Sequence, residues 1–208
     1  MDNPPDSWNE LHKKTMPKFK TTCFDLLFYK NQTIYQPGRE NPNNNRNMFF
    51  DNAVAQENVV YAELDSSRSI SQNKVFKQIF LVADSTCQIQ WKITDETRVI
   101  AGFQCGHANA IIMDSIYVVA FYTDDIITTG SPGSFNGLPG MILGVSLPHQ
   151  HVTWFATKVS AAPVTTSQLK IPSKGKKVTN ASLNEQLKEE RMKDWGLYAQ
   201  RNLEAVTL

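Results

Sequence analysis

Two histidines in the last third of the chain carry its clearest metal-binding chemistry. His149 and His151 stand two apart in the sequence PHQH, so on a β-strand both imidazoles face the same side and can meet one metal ion. His107 or Asp124 would have to add a further ligand, and nothing in the sequence brings either of them close. Two exposed histidines at the end of a strand are the simpler interpretation. A metal site is therefore the alternative hypothesis for this motif.

The remaining reactive side chains form two short groups. Cys105 and His107 could make a thiol–imidazole pair, but such a pair needs a third group that orients the imidazole, and none is apparent. Asp124 and Asp125 are adjacent, so on a strand they point to opposite faces and share neither a proton nor an ion. We expect them to begin a loop. An enzyme that uses the histidine pair with Cys105 or Asp124 remains the alternative to a binding protein.

Length and composition limit the classes of protein that need consideration. The chain has 208 residues, enough for one substantial domain, and 41% hydrophobic with 20% charged residues is typical of a folded globular protein. The net charge of +1 provides no basic surface, so we expect no nucleic-acid partner. No run approaches the roughly 20 apolar residues that cross a bilayer, so we expect no transmembrane segment.

The three cysteines, Cys23, Cys87 and Cys105, lack the CxxC spacing of a zinc site or a redox pair. Cys87 and Cys105 flank a predicted hairpin, QIQWKI–TDETR–VIAGFQC, whose turn we centre near Glu96. That centre sets the two cysteines almost opposite each other, which allows a cross-strand disulfide. Two buried free thiols are the alternative, and the sequence does not choose between them.

Strand-like runs recur at short intervals from residue 21 to residue 159, with no helical pattern between them. This spacing predicts a mainly β (α+β) fold with an antiparallel sheet, and the similarity to a half-barrel described below implies that the sheet is curved. We divide the single domain, 1–208, into four parts. They are a short N-terminal helix over 1–17, the antiparallel sheet over 18–162, a linker over 163–181 with an edge strand at QLKI, and an amphipathic C-terminal helix over 182–202.

Residues 121–144 contain a loop rich in glycine and proline between two strong strands. Its glycines and prolines are Gly130, Pro132, Gly133, Gly137, Pro139 and Gly140. Pro139 suits the first central position of a type II turn, and Gly140 supplies the positive φ of the second. Phe135 and Leu138 are apolar residues that would fasten the loop to the body of the protein. We therefore expect a shaped, anchored loop.

This segment closely resembles the signature of the GLPGLI family, with GLPGMI at residues 137–142. Further blocks resemble the family in the same order, and the resemblance covers roughly residues 15–200. These blocks are WKITDETRVIAGFQCGHA, IYVVAFYTDDI, VTWFATK and KDWGLYAQRN. The resemblance implies an exported protein of the Bacteroidetes group, mature after removal of a signal peptide and located in the periplasm or at the outer membrane. It implies no established activity.

A weaker similarity concerns the fold. The block formed by Ile100, Gly102 and Cys105, followed by a long strand, is similar to proteins with the LolA-type half-barrel. In that fold a curved antiparallel sheet wraps a helix and can hold a lipid. The similarity implies a concave face for an apolar ligand, although a fold does not fix a function.

The glycine-rich loop is the expected functional region, because loops held on rigid scaffolds commonly carry binding residues. We predict a non-enzymatic binding or interaction module without a cofactor. Its partner would be an apolar ligand or an outer-membrane or periplasmic protein. The predicted contact residues are the aromatic and apolar side chains expected near the loop, namely Trp91, Phe121, Tyr122, Phe135, Leu138 and Trp154.

Overall fold

Two β-sheets make up the described part of the chain. The computed structural model describes residues 21–39, 57–75, 78–86, 88–113, 115–183 and 185–186. The strands in chain order are β1 (Phe24–Tyr29), β2 (Gln32–Pro37), β3 (Val59–Glu63), β4 (Arg68–Val75), β5 (Gln78–Ser85), β6 (Lys92–Ile100), β7 (Phe103–Ile112), β8 (Ile116–Thr123), β9 (Met141–Leu147), β10 (Val152–Phe155) and β11 (Lys176–Val178). The prediction of a mainly β fold is confirmed.

The first sheet has the strand order β1-β2-β3-β4-β5-β11. Its first five strands pair antiparallel in sequence order, and short turns join β1 to β2 and β3 to β4. Strand β11 arrives from far along the chain and pairs parallel to β5. The expected edge strand at QLKI is therefore wrong in position, since the strand that reaches this edge is Lys176–Val178.

The second sheet is an antiparallel meander in the order β10-β9-β8-β7-β6. A two-residue turn at Ala101 and Gly102 joins β6 to β7, and both residues have positive φ, at 51° and 88°. Positive φ at both central residues is the requirement of a type I′ turn, whose twist matches that of the flanking strands. The hairpin that we centred near Glu96 thus turns several residues later, and that prediction is wrong.

This later turn changes the partner of Cys105. Strand β6 continues through Glu96, with a bulge between Thr94 and Thr97, and Cys105 lies opposite Arg98 in the register. Cys87 lies outside the described residues, while Cys23 and Cys105 are free thiols. The hairpin therefore does not have the turn position that suggested a cross-strand disulfide.

The strands fall into two sheets where a single curved sheet was expected. The chain passes from the first sheet to the second through residues 88–91, which form no strand. The Trp91 indole N–H there donates a hydrogen bond of 2.8 Å to the carbonyl of Asn136 in the glycine-rich loop. This contact holds the connection against the loop.

One face of the second sheet is covered by the glycine-rich loop. The buried residues of this "loop core" come from β7, β8, β9 and the loop itself, and they are Ala108, Ile116, Val118, Ala120, Phe135, Leu138, Ile142, Val145 and Leu147. The opposite face buries a second cluster, the "β1-side core". Its buried members are Ile100, Cys105, Met141 and Leu143, against which Leu26 and Phe28 of β1 pack. Both faces are therefore apolar, which explains the imperfect alternation of these strands.

The first sheet is covered by segments from the C-terminal part of the chain. Leu169, in the predicted linker 163–181, is buried against Ile34 and Tyr61. Residues 180–183 and 185–186 are helical. Leu183 in this helix is fully buried against Val75, Phe80 and Val82. The beginning of the predicted C-terminal helix thus packs on the domain.

Other predicted parts lie outside the described residues. The N-terminal helix over 1–17 is among them, and so is the C-terminal helix of 182–202 beyond residue 186. Within the ranges that the structure describes, no helix is both long enough and apolar enough to cross a membrane.

Candidate functional site

The glycine-rich loop between β8 and β9 is anchored to the protein by apolar side chains. Phe135 and Leu138 are only 2% and 5% exposed and belong to the loop core. This agrees with the expectation that they fasten the loop to the body. Burial of a Phe or Leu side chain stabilises a protein by about 1.5–3 kcal/mol, so these two residues hold the loop firmly.

Backbone hydrogen bonds add to this anchorage. The Ile142 N–H donates to the carbonyl of Gly130 at 2.8 Å, and Gly130 forms an isolated parallel bridge with Met141. A side chain at Gly130 would lie 3.2 Å from Met141 and from Thr33 of β2. Gly130 therefore permits a close contact of the loop with both sheets.

The turn at Pro139 and Gly140 differs in part from the prediction. Gly140 has the expected positive φ, at 141°. Its N–H, however, donates to the carbonyl of Leu138 at 3.0 Å. A hydrogen bond that spans three residues with a proline at the centre is that of an inverse γ-turn, not of a type II turn. The glycine is required for a second reason, because a Cβ there would overlap the Thr123 carbonyl oxygen.

Five of the six predicted contact residues belong to the loop core or pack against it, and the sixth does not. Trp91, Tyr122 and Trp154 are half-buried and pack against the loop core, to which Phe135 and Leu138 belong. The Trp154 ring lies 5.9 Å from the Phe135 ring. Phe121 precedes Tyr122 on β8 and so points to the opposite face, where it joins the β1-side core.

A cleft of about 350 Å³ opens beside the glycine-rich loop. The loop forms one wall, which includes Gly130, Gly137, Pro139 and Gly140 together with Phe135 and Leu138. The other wall comes from the β3–β4 turn and the connection after β5, through Leu64, Ser67, Thr86 and Gln88. The volume lies at the lower end of the range of small-ligand sites. Four of the six glycines and prolines listed for the loop thus line the same cleft.

The polar side chains of this cleft are uncharged, and all but one lack a partner among the described residues. The exception is Asn136, whose side-chain amide donates to the Ser134 carbonyl at 3.0 Å. The hydroxyls of Ser67, Thr86 and Thr129 and the amide of Gln88 make no hydrogen bond with other described residues. Among the described residues, those that line the cleft have no ionisable side chain. The site therefore offers neutral donors and acceptors beside the accessible apolar surfaces of Leu64 and Pro139.

No sequence signal identifies the wall that comes from the first sheet and the connection after it. Ser67 has a positive φ of 50° in the β3–β4 turn, and its carbonyl accepts the Thr86 N–H at 2.7 Å. That bond fixes the two segments side by side, although 19 positions separate them in the sequence. Turn residues of this kind are common, so only the structure reveals that they face the loop.

Three turns meet beside the lining residues Leu64 and Thr129 at one edge of the cleft. The Leu64 N–H donates to the Asn31 carbonyl at 2.8 Å, which ties the β3–β4 turn to the β1–β2 turn. The Thr128 hydroxyl donates to the Lys30 carbonyl at 3.3 Å, which ties the loop to the same place. Ile127, beside Thr128, is 97% exposed. The rim is thus held in position by hydrogen bonds.

The histidine pair does not lie on a strand, so that placement is wrong. His149 belongs to a 3₁₀ turn, Pro148–Gln150, and His151 follows it with a left-handed φ of 55°. Proline at the first position favours this turn, since its fixed φ suits a helical start. Both histidines are exposed and do not line the cleft.

Cys105 and Asp124 do not complete a site with the histidines. Cys105 is fully buried in the β1-side core, while Asp124 is exposed and follows β8, as expected for the start of a loop. Burial raises the pKa of the Cys105 thiol, a backbone hydrogen bond from Ile100 opposes the rise, and the negative charge of Asp125 adds to it. Within the described ranges, no three His, Cys, Asp or Glu side chains gather as a metal site.

Tyr35 of β2 carries a buried polar atom next to the predicted contact residues. Its hydroxyl makes no hydrogen bond with the described residues, and burial raises the pKa of this phenol far above its usual value. The Trp154 side chain is a polar neighbour that opposes the rise, but the contact falls short of a hydrogen bond. Tyr35 therefore remains neutral throughout the physiological pH range.

Comparisons with known proteins inform the fold only. No family model matches the chain, and no curated protein matches it. Two solved structures of PNGF-II, in the P21 and C2 space groups, are similar to it with a TM-score of 0.52 each and 13% identity. The matches cover 85% and 83% of this chain but 31% and 30% of those chains, so this chain spans less than a third of their length. At this identity the likeness shows that both have a similar β fold.

Proposed function

We propose that this protein is a non-enzymatic binding module and that the cleft beside the glycine-rich loop takes an uncharged ligand with an apolar part. The observation that carries the proposal is the combination of unpaired neutral side chains with an apolar wall in one cleft of about 350 Å³. Ser67, Thr86, Gln88 and Thr129 supply hydroxyls and an amide.

The lining favours an uncharged ligand for an energetic reason. A charge that is taken from water into a cleft without an opposite charge loses hydration that nothing replaces. A neutral carbonyl, amide or hydroxyl can instead exchange its water for the side chains of Thr86 and Gln88. An aliphatic or aromatic group of the same ligand would cover Leu64 and Pro139, the apolar lining residues that are accessible to solvent.

Binding fits this lining better than catalysis. General acid–base chemistry needs a group that titrates near the working pH and lies within hydrogen-bond reach of the substrate. The described lining of the cleft has no such group, and the residues of the alternative hypothesis lie elsewhere. His149 and His151 are in the 3₁₀ turn, and Cys105 is in the β1-side core.

The sequence blocks extend the proposal to a family and a location. The chain resembles the GLPGLI family over roughly residues 15–200, and we propose membership on that basis. Membership would make it an exported protein of the periplasm or the outer membrane, and the cleft would then accept a segment of a neighbouring envelope protein or a free apolar ligand. The anchored rim supports either occupant, because a pre-ordered site loses little conformational entropy on binding.

The proposal is tested by nuclear magnetic resonance with three related probes. N-acetyl-leucine methylamide is neutral, N-acetyl-leucine carries a carboxylate and leucinamide carries an ammonium group. We expect saturable shifts of backbone amides at residues 64–67 and 129–138 with the neutral probe, and binding of the charged probes weaker by about ten-fold or more.

A variant that fills the cleft provides the decisive comparison. Thr86→Trp places an indole in the cleft and should abolish the shifts. Ser173→Trp, at an exposed position that does not line the cleft, should leave them unchanged. Equal binding of charged and neutral probes, binding by Thr86→Trp, or no saturable shift with any probe would contradict the proposal.

A further inference from the structure

The face of the second sheet that carries the β1-side core also bears an exposed aromatic platform. Phe121 of β8 and Phe155 of β10 lie with their ring centroids 6.3 Å apart. Phe155 is 43% exposed, which is a large fraction for a phenylalanine on a sheet. The two rings thus form an apolar surface in contact with solvent.

A glycine creates the space for this platform. Gly144 of β9 lies opposite both Phe121 and Phe155 in the strand register. A Cβ at Gly144 would lie 2.9 Å from the Phe155 ring and 3.0 Å from the side chain of Ile100. The missing side chain therefore allows Phe155 to lie across β9 toward Phe121.

Arg98 of β6 lies over both rings. Its guanidinium carbon is 5.2 Å from the Phe155 centroid and 5.7 Å from the Phe121 centroid, distances at which a cation is attracted to an aromatic face. His107 borders the same surface, with its ring 5.3 Å from Phe121 and its Nδ1 2.7 Å from the Thr94 hydroxyl. The rings thus hold the guanidinium in one place, and Thr94 orients the imidazole.

The charge of Arg98 is not neutralised within the described structure. Asp95 and Glu96 stand on the same strand, yet neither pairs with it, and the ion pair found among the described residues joins Lys74 to Glu57. Arg98 is exposed, and its N–H donors have no acceptor among the described residues. The platform therefore presents a positioned cation whose hydrogen bonds remain unused.

We propose that this platform is a second binding site, for a carboxylate carried on an aromatic or apolar group. The carboxylate would accept hydrogen bonds from Arg98, because the planar fork of a guanidinium matches the two oxygens of a carboxylate. The group that carries it would cover Phe155. The site lies on the opposite face of the second sheet from the loop core, and it does not depend on the cleft proposed above.

Titration of the isotope-labelled protein with benzoate tests this site directly. Benzoate combines both features, acetate keeps only the carboxylate and benzamide keeps only the ring. We expect saturable shifts around Arg98, Phe121 and Phe155 with benzoate, and binding of the other two weaker by about ten-fold. N-acetyl-Ala-Ala-Phe distinguishes a peptide C-terminus from a small acid, because tighter binding than benzoate assigns the site to a chain end and weaker binding assigns it to a small acid.

Substitutions separate binding from a purely structural role. Arg98→Gln should weaken benzoate binding about ten-fold or more, and Arg98→Lys should retain part of it, since the charge remains but the fork is lost. Arg68→Gln removes another exposed arginine, on the first sheet, and should not change binding. Phe155→Leu should weaken benzoate more than acetate.

Several results would overturn the proposal. The first is the absence of a saturable benzoate shift in the folded wild-type protein. The second is equal binding of benzoate and benzamide, and the third is unchanged benzoate binding in Arg98→Gln. If Arg98→Gln lowered the melting temperature while the wild type bound no carboxylate, Arg98 would only cover the rings. The amide spectrum of each variant shows whether it is folded before binding is compared.

Discussion

Replacement of Gly140 by alanine should destabilise the protein strongly, because two independent costs meet at this position. The φ of 141° lies in a region that side chains other than glycine rarely adopt, which costs about 1–3 kcal/mol. The added Cβ would also overlap the carbonyl oxygen of Thr123 and lie 2.8 Å from its carbonyl carbon. Both contacts are with backbone, so no side chain can move aside.

These costs together predict a loss of about 2–4 kcal/mol in the free energy of unfolding. For a chain of 208 residues this corresponds to a fall of about 10 °C in Tm. Urea titration followed by tryptophan fluorescence measures the loss, and an unchanged slope of the transition shows that the same surface unfolds. The loop should also become more sensitive to proteolysis.

Gly102 provides a matched control for the steric part. It also has a positive φ, at 88°, but a Cβ there meets nothing within 4 Å. Gly102→Ala should therefore lower the free energy of unfolding only through the unfavourable positive φ, by about 1 kcal/mol. If Gly140→Ala were no more destabilising than Gly102→Ala, the close contact with Thr123 would not exist, and our account of how the loop is held would be refuted.

Two further predictions concern ionisable groups. Burial, with a hydrogen bond of 3.1 Å to Glu63, raises the pKa of Tyr61 from 10.0 to about 12. The folded state thus favours the neutral phenol, so its stabilising contribution is complete below pH 10 and is lost as the pH rises from 10 toward 12. In Tyr61→Phe the free energy of unfolding should fall less steeply between pH 10 and about pH 12 than in the wild type. An unchanged dependence on pH would refute the raised pKa of Tyr61. Cys105 is fully buried with a raised pKa, whereas Cys23 is partly exposed, so a thiol reagent should modify Cys23 in the native protein and Cys105 only after unfolding. Mass spectrometry of the digested protein locates the label, and native labelling of Cys105 at the rate of Cys23 would contradict its burial.

Much of the fold follows from local sequence. The β-branched and aromatic runs correctly predicted the strands, and Phe135 and Leu138 correctly predicted an anchored loop, because each signal lies within a few residues. The turn after β6 shows the limit of this approach. The polar run around Glu96 has the composition of a turn, but the chain turns at Ala101 and Gly102, since a bulged edge strand tolerates polar residues exposed to water.

The candidate site could be predicted only in part. The concentration of glycine and proline identifies its loop wall, while Ser67, Thr86 and Gln88 carry no such signal, because they lie in the β3–β4 turn and in the connection after β5. The spacing of apolar residues along a strand indicates which of them face a core, but it does not indicate which distant segments of the chain come into contact. The same limit applies to the platform at Arg98, whose members come from three strands and from a hairpin register that the sequence misplaced by several residues.

The parallel pairing of β11 with β5 has a consequence for the order in which the protein is made. Val178 pairs with Val82, so the whole segment from β6 to β11 must be synthesised before the first sheet is complete. Until then β5 is an open edge that carries the apolar run from Phe80 to Val82, and such an edge readily recruits strands from other chains. Long-range parallel pairing also forms slowly. A chain truncated before Lys176 should therefore aggregate while it folds, and this late strand acts as the closing step of assembly.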